Sequence, residues 1–117
     1  MKARIAVTGI GVVSSAGIGI EAFWNSLLNG VPGNGFSIED FDPLPFFAGN
    51  AKEARRADRF QQLALAATHE AITQAGDFIM DPSAVGSMIG TGVGGLGTLE
   101  NQVKVLLDKG PRRVSPF

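Results

Sequence analysis

The chain carries apolar residues at spacings that predict five elements. Arg4 to Thr8, RIAVT, is aliphatic and β-branched without alternation, the pattern of a strand covered on both faces of a sheet. Glu21 to Asn29 sets Phe23, Trp24, Leu27 and Leu28 on one stripe, and Gly30 with Pro32 ends that short amphipathic helix. Asp58 and Gln61 resemble a capping box, after which Phe60, Leu63, Ala64, Ala67, Ala71 and Ala75 recur at helical spacing until Gly76. Alanine at so many of these positions predicts close packing. Val85 to Gly90 reads as a second strand, and Leu96, Leu99, Val103 and Leu106 mark a last helix closed by Gly110 and Pro111. The order is strand, helix, helix, strand, helix. Between the first two helices, Val31 to Asn50 is rich in Pro and Gly and carries Phe36, Phe41, Phe46 and Phe47, so it predicts an irregular segment pinned by aromatics rather than a linker.

Composition narrows the class. At 117 residues the chain fits one domain, and 44% hydrophobic against 18% charged residues, with a mean hydropathy of +0.17, is apolar for a small domain standing alone. The pattern asks for more polypeptide around it, and the apolar ending RRVSPF reads as a cut rather than a natural terminus. A net charge of -1 argues against nucleic acid or an anionic membrane as partner and leaves only local basic patches. The absence of cysteine excludes disulfides, thiolate metal sites and a cysteine nucleophile within these residues. Lys2 and Arg4 before the run Ile5 to Ile20 imitate a signal peptide, but four Gly, one Thr and two Ser interrupt that run and favour a strand and loop. No stretch reaches the roughly 18 apolar residues of a membrane span, and the expected location is cytoplasmic.

The stretch IGTGVGGLGT, Ile89 to Thr98, matches G-x-G-x-x-G twice, at Gly90/Gly92/Gly95 and Gly92/Gly94/Gly97, and Asp108 lies where a ribose-binding acid would be counted. A dinucleotide fold needs a further parallel strand after the helix to carry that acid. None remains after the last helix, and Asp108 falls in that helix's final turn. The better reading is that Gly90, Gly92, Gly94 and Gly95 let backbone pass close to other backbone or to an apolar ligand.

Taken in order, RIAVTGIGVVSSAG, EAFWNSLLNG, DRFQQLALAATHEAITQAG, IGTGVGGLGTLE and KGPRRVSPF resemble the amino-terminal part of the elongating β-ketoacyl-ACP synthases, over essentially the whole chain. The resemblance implies an α/β thiolase-like αβαβα sandwich, of which residues 1–117 are the amino-terminal segment of one synthase domain, with both strands in a buried sheet. It also implies a homodimer in the complete protein and no cofactor or metal. Such enzymes condense an acyl chain, held on a cysteine, with malonyl-ACP by decarboxylative Claisen chemistry. Their cysteine and two histidines lie beyond this segment, so no catalytic residue is assigned here. His69 lies in the alanine-rich helix and is given no role, and Ser14, Ser15 and Thr91 have no base within the chain to activate them.

Two features point to binding. Lys52, Arg55, Arg56 and Arg59 are spaced i, i+3, i+4, i+7, which lines four cations along one helical face. By the resemblance, Lys52, Arg55 and Arg56 fall where the synthases meet acidic acyl carrier protein, and Arg112 with Arg113 is similar to the second basic pair there. Val93, beside Gly92, matches the aliphatic residue of the glycine-rich loop bordering the acyl pocket, where side-chain size tunes chain length; core packing is the competing reading. As alternatives to an enzyme segment, a non-catalytic synthase-like partner that holds a carrier and a nucleotide-binding oxidoreductase remain to be separated by experiment.

Overall fold

The computed structural model describes residues 4–30, 35, 37–76 and 81–116. Pro32 and Phe36 lie outside the described residues. Helices dominate: α1 spans Ile20–Leu28, α2 Ala51–Arg56, α3 Arg59–Ala75 and α4 Leu96–Lys109, with single 3-10 turns at Leu44–Phe47, Pro82–Ala84 and Pro111–Arg113. Three of the four helices follow from the apolar stripes. The sheet among the described residues is a two-residue antiparallel ladder, β1 Val13–Ser14 with β2 Gly17–Ile18, paired Val13 to Ile18 and Ser14 to Gly17.

The expected strands are not formed. Residues 4–8 and 85–90 lie outside any strand, with Ile5 95%, Val7 80% and Met88 99% exposed. An unalternating apolar run demands cover on both faces and a hydrogen-bonding neighbour on each edge. The described residues supply neither, so the layered sandwich is not assembled among them.

α3 organises what is there. The segment Gly9 to Val12 runs antiparallel along it so closely that a Cβ on Gly9 would stand 2.8 Å from the Ala71 carbonyl carbon and one on Gly11 2.7 Å from that of Ala67. The alanines predicted to pack closely therefore meet glycine backbone. Polar side chains of the same helix fix the register. Gln74 accepts the Ile10 N–H at 2.7 Å, and Glu70 accepts the Val12 N–H at 2.8 Å and the Ile20 N–H at 2.7 Å. Gly19 at the start of α1 offers no side-chain cap, so the Glu70 carboxylate caps that helix from 50 residues away.

The aromatic segment is pinned to α3 as its composition predicts. Phe41 stacks on Phe46 at 5.8 Å between ring centroids, and Phe46 meets the His69 ring edge-on at 5.6 Å. At the α3 start, the predicted capping box is present; the Asp58 N–H donates to Gln61 Oε1 at 2.9 Å. Gln62 Nε2 reaches back to the Ala54 and Ala57 carbonyls at 2.8 and 3.3 Å, which holds α2 against α3.

Little is enclosed. Only Ala54 and Ala66 are buried among the described residues, while Trp24, Leu27, Leu99 and Leu107 are more than half exposed. The radius of gyration is 18.0 Å, against about 13 Å for a compact domain of this length. So much uncovered apolar surface exceeds what a monomer ordinarily carries. The isolated 117-residue chain is therefore expected to self-associate and to melt broadly, with a midpoint that moves with protein concentration. Sedimentation velocity and calorimetry across a concentration series check this; a sharp, reversible, concentration-independent melt of a monomer contradicts it.

Candidate functional site

The glycine-rich turn stands on the start of α4. Its polar bonds are local: the Gly94 N–H donates to Thr91 Oγ1 at 3.0 Å and the Leu96 N–H to the Gly94 carbonyl at 3.0 Å. Thr91 is thus a turn-former, as is Ser14, whose hydroxyl donates to the Gly17 carbonyl at 3.2 Å and accepts the Ala16 N–H at 3.2 Å. The four glycines were expected to pass close to other backbone or to an apolar ligand; one of them makes a close approach, and to a carboxylate side chain. A Cβ on Gly95 would lie 2.6 Å from Asp58 Cγ, whereas at Gly90, Gly92 and Gly94 it would meet open space. Thr98, one turn into α4, donates its hydroxyl to Asp58 Oδ1. Glycine here admits a carboxylate belonging to the protein.

Val93 is 70% exposed at the apex of this turn, and Gly92 beside it is exposed. A concave apolar surface of 350 Å³ is bounded by Phe47, Phe60, Leu65 and Ile89. Val93 is not among its lining residues.

The basic residues fall into two groups. Asn50 caps α2 by accepting the Glu53 N–H at 3.3 Å, and Lys52, Arg55 and Arg56 are exposed on this helix. The expected four-cation face needs correction: Ala57 is extended, with ψ 135°, so α2 ends before Arg59, which opens α3. Arg59 is committed elsewhere, its Nη2 donating to the Ile38 carbonyl at 2.6 Å and its guanidinium lying 4.9 Å above the Phe41 ring. The cause is the Asp58 cap, because a capping residue leaves the helical conformation. Arg55 and Arg56, together with Arg59, line a 330 Å³ cavity shared with Asp58, Gly94, Gly95 and Thr98. The basic end of α2 therefore borders the glycine-rich turn. Arg112 and Arg113 are exposed in the 3-10 turn after Gly110. Beyond them the Ser115 N–H donates to Gln102 Oε1 at 2.7 Å, which folds the segment back against α4.

A concavity of 820 Å³ lies elsewhere, between the start of α1 and α3, with His69 and Glu70 in its wall. It does not assemble an acid–base pair. Both Glu70 oxygens accept backbone N–H groups, and the His69 ring sits against Phe46. Among the described residues no group of three or more His, Cys, Asp or Glu is placed to hold a metal, and no helix is long and apolar enough to cross a membrane. Asp108 lies in the last turn of α4, with no strand end to present it.

Sequence reasoning overlooked Gln62, Glu70, Gln74 and Thr98. The first three lie at i, i+8 and i+12 on the ridge that also carries buried Ala66. Their signal was polar residues at multiples of four along a ridge interrupted by Ala66.

Comparison with known proteins agrees with the ordered motifs. Residues 32–117 match the family described as Beta-ketoacyl synthase, N-terminal domain. A 3-oxoacyl-[acyl-carrier-protein] synthase 2 of Synechocystis sp. is 38% identical over 99% of this chain and 32% of its own length. A protein of the same name from Staphylococcus aureus is 41% identical over 97% of the chain and 31% of its own length, and one from Vibrio harveyi is 39% identical over 99% and 32%. The chain thus spans about one third of the length of these relatives. Its ordered glycine turns, alanine-rich helix and closing GPRRVSPF, together with that end-to-end similarity, establish that the chain belongs to the β-ketoacyl synthase family, as the amino-terminal part of such a synthase.

Proposed function

We propose that this chain is the amino-terminal portion of a 3-oxoacyl-[acyl-carrier-protein] synthase that lengthens acyl chains by decarboxylative condensation. The observation that carries the reading is the similarity, over nearly the whole chain, to relatives bearing that name. The acyl group, held as a thioester on a cysteine of the complete protein, is attacked by the carbanion that malonyl-ACP forms as it loses CO2. The new carbon–carbon bond forms as the thiolate leaves. Such chemistry needs a nucleophilic thiol, donors for the oxyanion and a dry pocket for the chain. The complete protein would be a cytoplasmic homodimer in a thiolase-like sandwich, whose sheet gives residues 4–8 and 85–90 the neighbours their apolar runs require.

The test is malonyl-dependent chain extension. The complete synthase is expected to release CO2 and 3-oxoacyl-ACP in equal amounts, and the 117-residue chain alone, which has no thiol, is expected to release neither. A complete protein that binds acyl-ACP without extending it would instead be a non-catalytic partner.

In this reading Lys52, Arg55, Arg56, Arg112 and Arg113 receive the acyl carrier protein. Support comes from their exposure and from the shared wall between Arg55, Arg56 and the glycine-rich turn, since a carrier must deliver its cargo near the pocket. Contacts between charged surfaces act chiefly on association and weaken with salt over a distance of about 10 Å at 0.1 M. Reversing Arg55 and Arg56 to Glu in the complete synthase is expected to raise KM for carrier-bound substrate, most steeply at low salt. A small acyl thioester without the carrier keeps its KM. Equal effects on both substrates return these arginines to a solvated surface.

Val93 and Gly92 then border the acyl chain. Val93→Phe in the complete synthase is expected to lower kcat/KM for the longest acyl substrates relative to the shortest by about tenfold or more, the scale at which a filled pocket rejects added bulk. Steady-state kinetics over a chain-length series measures that ratio; an equal loss at every length indicates damaged packing instead.

A further inference from the structure

The turn that carries Val93 has little of its own to hold it. A Cβ at Gly92 or Gly94 would meet open space, and Val93 itself is 70% exposed. Restraint enters through the residues on either side. Before Val93, Thr91 Oγ1 accepts the Gly94 N–H at 3.0 Å and closes the turn. After it, Gly95 brings its backbone against the Asp58 carboxylate, and Thr98 donates its hydroxyl to Asp58 Oδ1 across 40 residues of sequence.

Asp58 is itself a fixed point. Its N–H is held by Gln61 Oε1 at 2.9 Å, and its carbonyl accepts the Gln62 N–H at 3.1 Å. A hydroxyl donating to a carboxylate is among the stronger neutral-to-charged hydrogen bonds. The glycine-rich turn is thereby fastened at one end to the hydrogen-bonded start of α3. Arg55 and Arg56 line the same cavity as Asp58 and Thr98, so the fastening shares a wall with the basic end of α2.

We propose that Asp58 and Thr98 are a positioning pair: their hydrogen bond fixes the glycine-rich turn against α3 and so sets how far Val93 intrudes on a bound acyl chain. The inference rests on the reading that Val93 borders the acyl chain. Neither residue touches the chain; both act through Val93. Releasing the bond lets the turn move away from the α3 start, and discrimination against long chains relaxes.

The experiment uses the complete synthase and reads the ratio of kcat/KM for the longest accepted acyl substrate to that for the shortest. Thr98→Val keeps the side-chain shape and removes the hydroxyl, and it is expected to raise this ratio at least about threefold, the scale of coupling between residues in contact. Thr98→Ser, which keeps the donor, retains the parental ratio. Gly95→Ala, whose methyl group displaces the Asp58 carboxylate, raises the ratio as Thr98→Val does and carries the test should Thr98→Val fail to fold. In a Val93→Ala background the effect of Thr98→Val is expected to vanish, because little side chain remains to be placed; a purely structural hydrogen bond would act alike in both backgrounds and on all chain lengths. A Thr98→Val synthase with the parental ratio overturns the positioning pair while Val93→Phe still lowers the ratio. If Val93→Phe leaves the ratio unchanged, the pocket reading falls and the pair with it.

Discussion

The described structure depends on the fit between Gly9-Ile10-Gly11 and α3. Two residues of extended chain advance about 6.6 Å, and four residues of helix about 6 Å, so every second residue of one meets every fourth of the other. Gly9 stands over Ala71 and Gly11 over Ala67, at matching intervals. A methyl group at either glycine would strike a helix carbonyl, and a larger residue than alanine would hold the segment off. The same register brings the Ile10 and Val12 N–H groups to Gln74 and Glu70, so side chains of a helix do for this segment what a neighbouring strand would otherwise do.

α3 serves its other neighbours by the same means. Gln62 satisfies carbonyls at the end of α2, the His69 ring receives Phe46, and Asp58 meets Gly95 and Thr98 of the turn and α4. These contacts are polar or aromatic and lie near the surface. The apolar stripes of α1 and α4 take no part and remain exposed, Leu28 at 67% and Leu99 at 58%. The chain thus forms a framework tied together by side-chain hydrogen bonds, with its apolar faces turned outward toward whatever completes the fold.

How far this could be read from the sequence varied with the kind of signal. α1 was expected at Glu21 to Asn29 and spans Ile20–Leu28; the capping residues of α3 and the Gly110 end of α4 fell where their chemistry placed them. These features are local, and local chemistry decides them. Residues 4–8 and 85–90 were read correctly as apolar and wrongly as paired strands for this set of residues, because an apolar run states a need for cover without naming its partner. Arg59 was misplaced although the means to place it were present: Asp58 could not both cap α3 and sit inside a continuous basic helix. Glu70, Gln74 and Thr98 were missed because a polar residue on a helix ordinarily faces water, and only tertiary contact distinguishes these from solvated neighbours.

The remote cap on α1 has a consequence for synthesis. A nine-residue helix is marginal in water without outside support, and here that support comes from Glu70, 50 residues further along the chain. At a translation rate of about 5–20 residues per second, Glu70 is made roughly 3–10 s after Ile20. Throughout that interval the Ile20 N–H at the start of α1 and the Val12 N–H before it lack the carboxylate that accepts them. A newly made chain of this family member therefore passes through a window in which its first helix is uncapped and marginal, and the window closes when the Glu70 carboxylate arrives.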